Sequence, residues 1–291
     1  LRKTFPYLTY VTPFTYGLTQ SGSLVMLNDN HMIDIAKEYD TAPLMHLSTL
    51  TEKGNFDSAR ASIVLNNQMI QDKLIDEIIE NMNDKGYYGL DVDFEFINKQ
   101  DAEKYAAFIS NLRSRLNPLG YEVITVLAPK ISAMQRGTIY EGHLYKEIGI
   151  ASNAVFVMTY EWGYTYGPPQ AVSPLPNVRA VLDYAVSEIP REKIFMGISN
   201  YGYDWTLPFE KGDKARSISN DEAIKLAIQY GAEIQYDETA QAPYFHYYDK
   251  RGREHVVWFE DARSIQAKLA LIPEYGLRGA GYWNIMRTYQ T

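Results

Sequence analysis

The chain has 291 residues, 46% of them apolar, which is enough to bury the core of one large α/β domain or two small ones. Its formal net charge of -8 argues against a nucleic-acid partner, whose phosphates would be repelled. The absence of cysteine excludes disulfides and thiolate metal sites. Because no run is long enough to cross a membrane and no signal-peptide apolar region opens the chain, we expect no membrane insertion.

Strand-like and helix-like segments alternate along the chain. The predicted strands lie near residues 8, 44, 89, 122, 155, 195 and 280. The predicted helices cover about 30–40, 55–66, 68–83, 101–116, 144–150, 177–188 and 261–275. Alternation of this kind predicts parallel βαβ units and an α/β fold. Such units form either a closed barrel or an open doubly wound sheet. No glycine-rich phosphate loop follows any strand, and this absence disfavours the open sheet.

One segment, residues 204–260, is too long for a plain connection between a strand and a helix. It contains a helical run at 221–230 and strand-like runs around 233–236, 244–248 and 255–259, with a turn at Asp249-Lys250-Arg251-Gly252. We therefore predict a small α+β insertion, approximately 208–258, between the seventh strand and the last helix. The remainder is predicted to form a single catalytic domain over 1–291.

Three acidic residues occupy alternate positions in the third predicted strand. Asp91, Asp93 and Glu95 are separated by Val92 and Phe94, so a strand would place the carboxylates on one face. Repulsion between them raises at least one pKa, which suits acid/base catalysis with one carboxyl kept protonated. The alternatives are an edge strand whose charges prevent aggregation and a metal site with oxygen ligands.

The run Gly89-Leu90-Asp91-Val92-Asp93-Phe94-Glu95 resembles the signature of glycoside hydrolase family 18. The resemblance spans nearly the whole chain and implies a (β/α)8 TIM barrel, whose first strand would lie upstream of the chain or within residues 1–6. It also implies roles for the acids. Glu95 would be the general acid, Asp93 would orient the N-acetyl group of the substrate, and Asp91 would stand behind Asp93.

Further site residues follow from the same resemblance. Met158-Thr159-Tyr160-Glu161 is similar to the family's Met-x-Tyr-Asp element, which makes Tyr160 a catalytic residue whose hydroxyl holds the acetamido oxygen. Trp283 would be the floor on which a pyranose stacks. Both aromatic residues have ordinary core packing as their alternative. The other predicted substrate-binding residues are Met158, Glu161, Trp162, Tyr203 and Trp205.

Three departures separate the chain from ordinary chitinases. Tyr88 stands where the family has an acid before the glycine, Glu161 replaces the family's Asp, and Leu47-Ser48-Thr49-Leu50 lacks the glycines of a Ser-x-Gly-Gly element. In these features the chain resembles the bacterial spore-associated subgroup of N-acetylglucosaminidases that lyse cortex fragments. Catalytic domains of that subgroup often follow LysM modules, and no LysM pattern occurs in this sequence.

The combined prediction is a glycosidase that cleaves β-1,4-linked N-acetylglucosamine glycans, with spore cortex peptidoglycan preferred, by retaining, substrate-assisted catalysis. The alternatives are a chitinase or chitooligosaccharide hydrolase, and a non-catalytic glycan-binding protein. We expect no cofactor and no metal, because the five histidines show no metal-ligand spacing. We also expect a monomer with a glycan as its partner, located at the spore or cell wall, with no signal peptide in this chain.

Overall fold

The computed structural model describes residues 2–51 and 53–287. Within it the chain divides into two compact units. One contains the residues up to Val157 together with Ala185–Ile194. The other contains Met158–Tyr184 and the residues from Phe195 onward.

The first unit contains a parallel sheet and a separate antiparallel pair of strands. The strands of the unit are β1 (Tyr10–Val11), β2 (Gly17–Leu18), β3 (Leu24–Val25), β4 (Ala42–Ser48), β5 (Gly89–Asp93), β6 (Glu122–Leu127) and β7 (Ala154–Val157). Strands β1, β4, β5, β6 and β7 are parallel neighbours in that order, and β2 and β3 form a separate antiparallel pair. The parallel order follows from the helices that connect successive strands.

The helices of this unit are α1 (Asn30–Glu38), α2 (Ser58–Leu65), α3 (Gln68–Lys85), α4 (Ala102–Leu116) and α5 (Tyr145–Ala151). Helix α3 shows how the sequence sets their limits. The Asn67 side chain accepts a hydrogen bond from the backbone of Ile70 at its start, and Gly86 ends it in a left-handed conformation. Between them, Leu74, Ile75, Ile78 and Met82 are buried at the spacing of one helix face.

The second unit contains a parallel pair and an antiparallel sheet. Strand β8 (Ile194–Ser199) pairs with β14 (Gly279–Trp283). The antiparallel strands are β9 (Gly202–Thr206), β10 (Arg216–Ile218), β11 (Gln235–Asp237), β12 (Ala242–Tyr248) and β13 (Glu254–Trp258), in the spatial order β10-β9-β13-β12-β11. The helices are α6 (Leu175–Glu188), which crosses the boundary between the units at Tyr184, α7 (Asn220–Tyr230), α8 (Ala262–Leu269) and α9 (Leu271–Tyr275).

Helix α7 covers one face of the antiparallel sheet. Ala223 and Ala227 pack with the sheet residues Phe245, Tyr247 and Val257 in a buried cluster. The helix begins with a capping box formed by its flanking Ser219 and its third residue, Glu222. The predicted α+β segment therefore has its own core, although its sheet starts at Gly202, before the predicted limit of residue 208.

The α/β prediction is confirmed, and three element boundaries were wrong. The strand predicted near residue 8 is only Tyr10–Val11, in keeping with Pro13, which has no N–H for a sheet. The helix predicted over 261–275 divides at Ala270, where Pro273 would clash with the carbonyl group four residues earlier. The acidic strand ends at Asp93, so Glu95 follows it.

Candidate active site

Strand β5 presents two of the three predicted acids on one face of the first unit's sheet. Leu90 and Val92 are fully buried, and Asp91 and Asp93 alternate with them. Gly89 at the start of the strand allows close packing, because a β-carbon there would lie 2.8 Å from the backbone oxygen of Glu122. The acids therefore lie on a buried strand that packs closely against its neighbour at Gly89.

The backbone just after the strand is also held. The Phe94 ring is buried and stacks on Tyr105 and Phe108, with ring centroids 5.7 and 5.8 Å away. The Phe94 carbonyl lies 3.0 Å from Nε2 of buried His143. Because His143 Nδ1 accepts the backbone N–H of Ala128, its Nε2 must be the protonated nitrogen that donates to Phe94. These contacts fix the chain immediately before Glu95, which is half-buried.

The site favours neutral forms at two positions. Burial raises the pKa of Asp91 to about 6, with the charge of Asp93 adding to the effect and that of His46 opposing it. Burial lowers the pKa of His143 to about 4, so this histidine is uncharged near neutral pH. The sequence predicted a raised carboxyl pKa from repulsion between the acids, but the main cause of the rise at Asp91 is burial, and repulsion by Asp93 is the smallest contribution.

Each of the two strand acids has one buried oxygen available as an acceptor. Within residues 2–51 and 53–287, Oδ1 of Asp91 and Oδ1 of Asp93 accept no hydrogen bond. Buried polar atoms are nearly always satisfied, and exceptions concentrate where a ligand or a reaction requires them. A turn of the Asp93 side chain that brought Oδ1 to a bound molecule would therefore break no protein hydrogen bond to that oxygen.

Sequence reasoning missed His46, one of the five histidines that show no metal-ligand spacing. Its Nε2 lies 3.5 Å from Oδ2 of Asp93 and 3.9 Å from Oδ2 of Asp91. Burial would lower its pKa, but the hydrogen bond to Asp93 and the charges of both acids outweigh burial and raise it. The register offers the signal that could have found it: His46 lies opposite Asp91 in β4, and Ser48 lies opposite Asp93.

The second unit holds the remaining predicted site residues. Met158, Thr159 and Tyr160 directly follow β7. Thr159 fixes this segment, because its hydroxyl donates to the Gly197 carbonyl at 2.6 Å and its own carbonyl accepts from Ser173. Tyr160 is buried, and it contributes, after burial and Glu161, to the raised pKa of Tyr201.

Three predicted substrate-binding residues meet at one pocket of about 230 Å³ in the second unit. Its lining consists of Glu161, Tyr203 and Trp283, together with Tyr201, Ser217, Asn284 and Arg287. Oε1 of Glu161 accepts hydrogen bonds from the hydroxyls of Tyr201 and Tyr203. Desolvation of the carboxyl group raises the pKa of Glu161, although the hydrogen bonds from the two tyrosine hydroxyls and the charge of Arg287 oppose the rise. A carboxylate, two phenols and an indole are a lining suited to a sugar ring.

The other three predicted binding residues do not line this pocket. Met158 and Trp162 are half-buried, and the Trp162 backbone pairs with Val172 in the following loop. Trp205 is only 1% exposed, and its indole N–H donates to the carbonyl of Gly167. The Trp205 ring lies 5.6 Å from that of Tyr203, so it supports a pocket residue from behind.

Neither a metal centre nor a membrane span is found in the described part of the chain. Its histidines, aspartates and glutamates form no group of three or more that could hold a metal ion. No helix among the described residues combines the length and the apolar character that a bilayer crossing requires.

The sequence matches the model of the glycosyl hydrolases family 18 over residues 28–287, and this stretch contains every predicted site residue. The chain belongs to glycoside hydrolase family 18. The Asp-x-Asp-x-Glu run of Asp91, Asp93 and Glu95 lies within the matched stretch. The chain is consequently a member of a glycosidase family, as the sequence predicted.

Family 18 relatives from bacterial spores are similar over nearly the whole chain. The cortical fragment-lytic enzyme of Bacillus subtilis is 45% identical over 285 residues, which cover 98% of this chain and 66% of that protein. The structure of the spore cortex-lytic enzyme SleL of Bacillus cereus superposes with a TM-score of 0.95 at 40% identity, covering 99% of this chain and 66% of that one. The chain thus spans slightly less than two thirds of these relatives.

A more distant family 18 structure supports the fold alone. The chitinase of Chromobacterium violaceum superposes with a TM-score of 0.92 at 24% identity, over 99% of this chain and 90% of that one. The agreement over both chains shows that the α/β architecture, including the antiparallel segment, is shared with a chitinase.

Proposed function

We propose that this chain hydrolyses β-1,4-linked N-acetylglucosamine glycans and that its substrate is spore cortex peptidoglycan, cut down to fragments. The observation that carries the proposal is the pair of acids on β5, with Asp93 Oδ1 buried and without a protein hydrogen-bond partner in the described residues. When the Asp93 side chain turns toward the substrate, that oxygen can accept a hydrogen bond from an acetamido N–H, the group that distinguishes N-acetylated sugars from plain ones. The names of the spore relatives support cortex peptidoglycan as the substrate.

The proposed chemistry is substrate-assisted and retaining. Glycosidases normally use two separated carboxyl groups, and the family 18 enzymes are among the exceptions. Glu95 protonates the leaving oxygen, and the acetamido oxygen of the substrate attacks the anomeric carbon. Glu95 then takes a proton from the incoming water. Pre-alignment of a nucleophile inside the substrate removes much of the entropic barrier.

The strand acids and Tyr160 have supporting roles in this proposal. Asp93 holds the acetamido N–H and balances the positive charge of the oxazolinium intermediate. Asp91, whose pKa of about 6 favours the protonated form in weak acid, moderates the charge on Asp93. Tyr160 donates its hydroxyl to the acetamido oxygen. In the second unit, Trp283 gives a flat apolar surface for a pyranose, and Glu161 and Tyr203 offer hydrogen bonds at its edge.

The proposal also covers the closure of the barrel, the oligomeric state, the cellular location and the domain organisation. The parallel strands are proposed to form a closed (β/α)8 barrel, in agreement with the superposition on family 18 structures. The chain is proposed to act as a monomer at the spore or cell wall, with the glycan as its partner. It is proposed to be one catalytic domain in which the antiparallel segment is an insertion.

A parallel digestion tests the function directly. Purified spore cortex fragments and N-acetylglucosamine oligomers are incubated with the protein, and the products are identified by mass spectrometry. Release of muropeptide fragments that end in N-acetylglucosamine supports the proposal. Exclusive cleavage of the oligomers would make the chain a chitooligosaccharide hydrolase. Binding of either glycan without cleavage would make it a glycan-binding protein.

A further inference from the structure

His46 lies where a buried positive charge would act on both strand acids. It is 4% exposed, and its Nε2 faces Oδ2 of Asp93 and Oδ2 of Asp91 at 3.5 and 3.9 Å. On the opposite side of the ring, Nδ1 lies 2.6 Å from the hydroxyl oxygen of Thr15. Both ring nitrogens are therefore engaged, one by two carboxyl groups and the other by a hydroxyl group.

The hydrogen-bond pattern favours an imidazolium. The Thr15 hydroxyl has three other acceptors within reach, Ser48 Oγ at 3.0 Å and the carbonyl oxygens of Tyr16 and His46 at 3.1 and 3.4 Å, and a hydroxyl group has one proton to give. When that proton goes to one of these three, the short contact requires Nδ1 of His46 to be the donor. Nε2 faces acceptors only, so it carries a proton as well. The ring is doubly protonated in this arrangement and carries a positive charge.

We propose that His46 is a positioning residue whose imidazolium holds the Asp93 carboxylate in place and keeps it ionised. The inference rests on the proposed function, because it matters for activity only if Asp93 acts on an acetamido group. Two neighbouring carboxyl groups in a buried site tend to share one proton. A cation facing the same side of both reduces that tendency, so Asp93 can balance an oxazolinium charge.

The surroundings of this cluster are consistent with that role. The titratable groups around it are Asp91 and Asp93 on β5, Tyr105 on α4, and His143 between β6 and α5. Tyr105 is kept neutral, because burial and then the charge of Asp93 raise its pKa. His143 is neutral near pH 7, as its pKa of about 4 shows. His46 is thus the cationic member of this group, and the Phe14 ring packs on it with centroids 4.8 Å apart.

The first test is the pH profile of kcat/KM for His46→Gln, measured on a soluble N-acetylglucosamine oligomer. Loss of a cation at this distance raises the pKa of the acids, so the acidic limb should move up by about one pH unit. KM at the optimum should change little, because His46 contributes charge and not a sugar contact. His246→Gln is the matched control, since His246 is an exposed histidine 3.1 Å from Glu254. A loss of activity without movement of the acidic limb would reduce His46 to a packing residue.

The second variant guards against a misfolded His46→Gln protein. Thr15→Val removes the hydroxyl beside Nδ1 and leaves the imidazole and both acids in the chain. It should move the acidic limb in the same direction by a smaller amount. An unchanged limb in a folded Thr15→Val protein would contradict the two-sided hydrogen-bond arrangement on which the charge of His46 depends.

A titration of the His46 ring by NMR does not depend on activity. The midpoint should lie above the ordinary histidine value of 6.5, and Asp93→Asn should lower it. A midpoint at or below 6.5 would overturn the proposal. An inactive wild-type protein with a raised His46 midpoint would instead reject the proposed function and leave the charge assignment in place.

Discussion

The hydroxyl of Tyr203 donates a hydrogen bond of 2.9 Å to Oε1 of Glu161. Tyr201 donates to the same oxygen, so two phenols hold one carboxylate at the pocket. This arrangement gives Glu161 a defined direction, although its backbone lies in the left-handed region at φ 70. We infer that the longer side chain at this position is usable because the two tyrosines restrict it.

Tyr203→Phe should weaken glycan binding through Glu161. The lost hydrogen bond to a charged group is worth about 1.5 kcal/mol, which predicts a rise in KM of about tenfold with a smaller change in kcat. Steady-state kinetics on a defined oligomer measures both constants. Tyr236→Phe removes a comparable tyrosine hydrogen bond, to Gln241, and serves as the control. Equal KM values for the wild type and Tyr203→Phe would remove Glu161 from the binding site.

Two tryptophans should respond oppositely to truncation. Trp283 is 36% exposed and lines the pocket, so Trp283→Ala should impair turnover strongly and change the melting temperature modestly. Trp205 is a core residue, and Trp205→Ala should destabilise the fold by about 3–5 kcal/mol. Denaturant unfolding and activity per folded molecule separate the effects. A Trp283→Ala protein that unfolds readily but keeps its specific activity would assign Trp283 to the core.

Asp91→Asn should make the protein more stable at neutral pH and less active. The folded protein binds the Asp91 proton more tightly than the unfolded chain does, because its pKa is about 6 instead of 3.8. Stability is therefore lost as the pH rises from about 4 to about 6. Removal of the charge recovers it, by at most about 3 kcal/mol above pH 6.

Urea unfolding across pH 4 to 8 checks this sign. The stability difference between Asp91→Asn and the wild type should be small near pH 4 and reach its full size above pH 6. Asp84→Asn, at an exposed position of α3, controls for the loss of a surface charge. A difference of the opposite sign, or one independent of pH, would show that burial does not disfavour the Asp91 charge.

Much of the architecture could be predicted from residue patterns. Long segments with a regular period, such as α3 and α4, were placed within a few residues, because their apolar stripes and end residues agree. Strand β9 escaped prediction. It pairs with β10, the next strand along the chain, and with β13, which follows only after β10, α7, β11 and β12, and a local pattern cannot show the β13 partner.

Partners that are distant in sequence also limited the prediction of the site. Asp91 and Asp93 could be predicted because both lie in one strand, two residues apart in the sequence. The contact of His46 with them depends on the register of two strands that lie more than 40 residues apart. The burial of Trp205 also depends on distant partners, since its N–H bonds to a loop carbonyl at Gly167.

Glu95→Gln should abolish turnover and preserve glycan binding. The amide keeps the shape of the side chain but cannot donate a proton to the leaving oxygen or accept one from water. Calorimetric titration with an oligomer should give a Kd close to the wild-type value, while product formation falls by several orders of magnitude. Full activity in this variant would require another general acid.

The most direct test of the account is the anomeric form of the first product. Proton NMR follows the anomeric signal during the first minutes of cleavage of a β-linked N-acetylglucosamine oligomer. Substrate-assisted catalysis inverts the anomeric carbon twice, so the account predicts a β product that afterwards equilibrates with the α form. An initial α product would contradict the mechanism, because a single displacement by water would then explain the reaction.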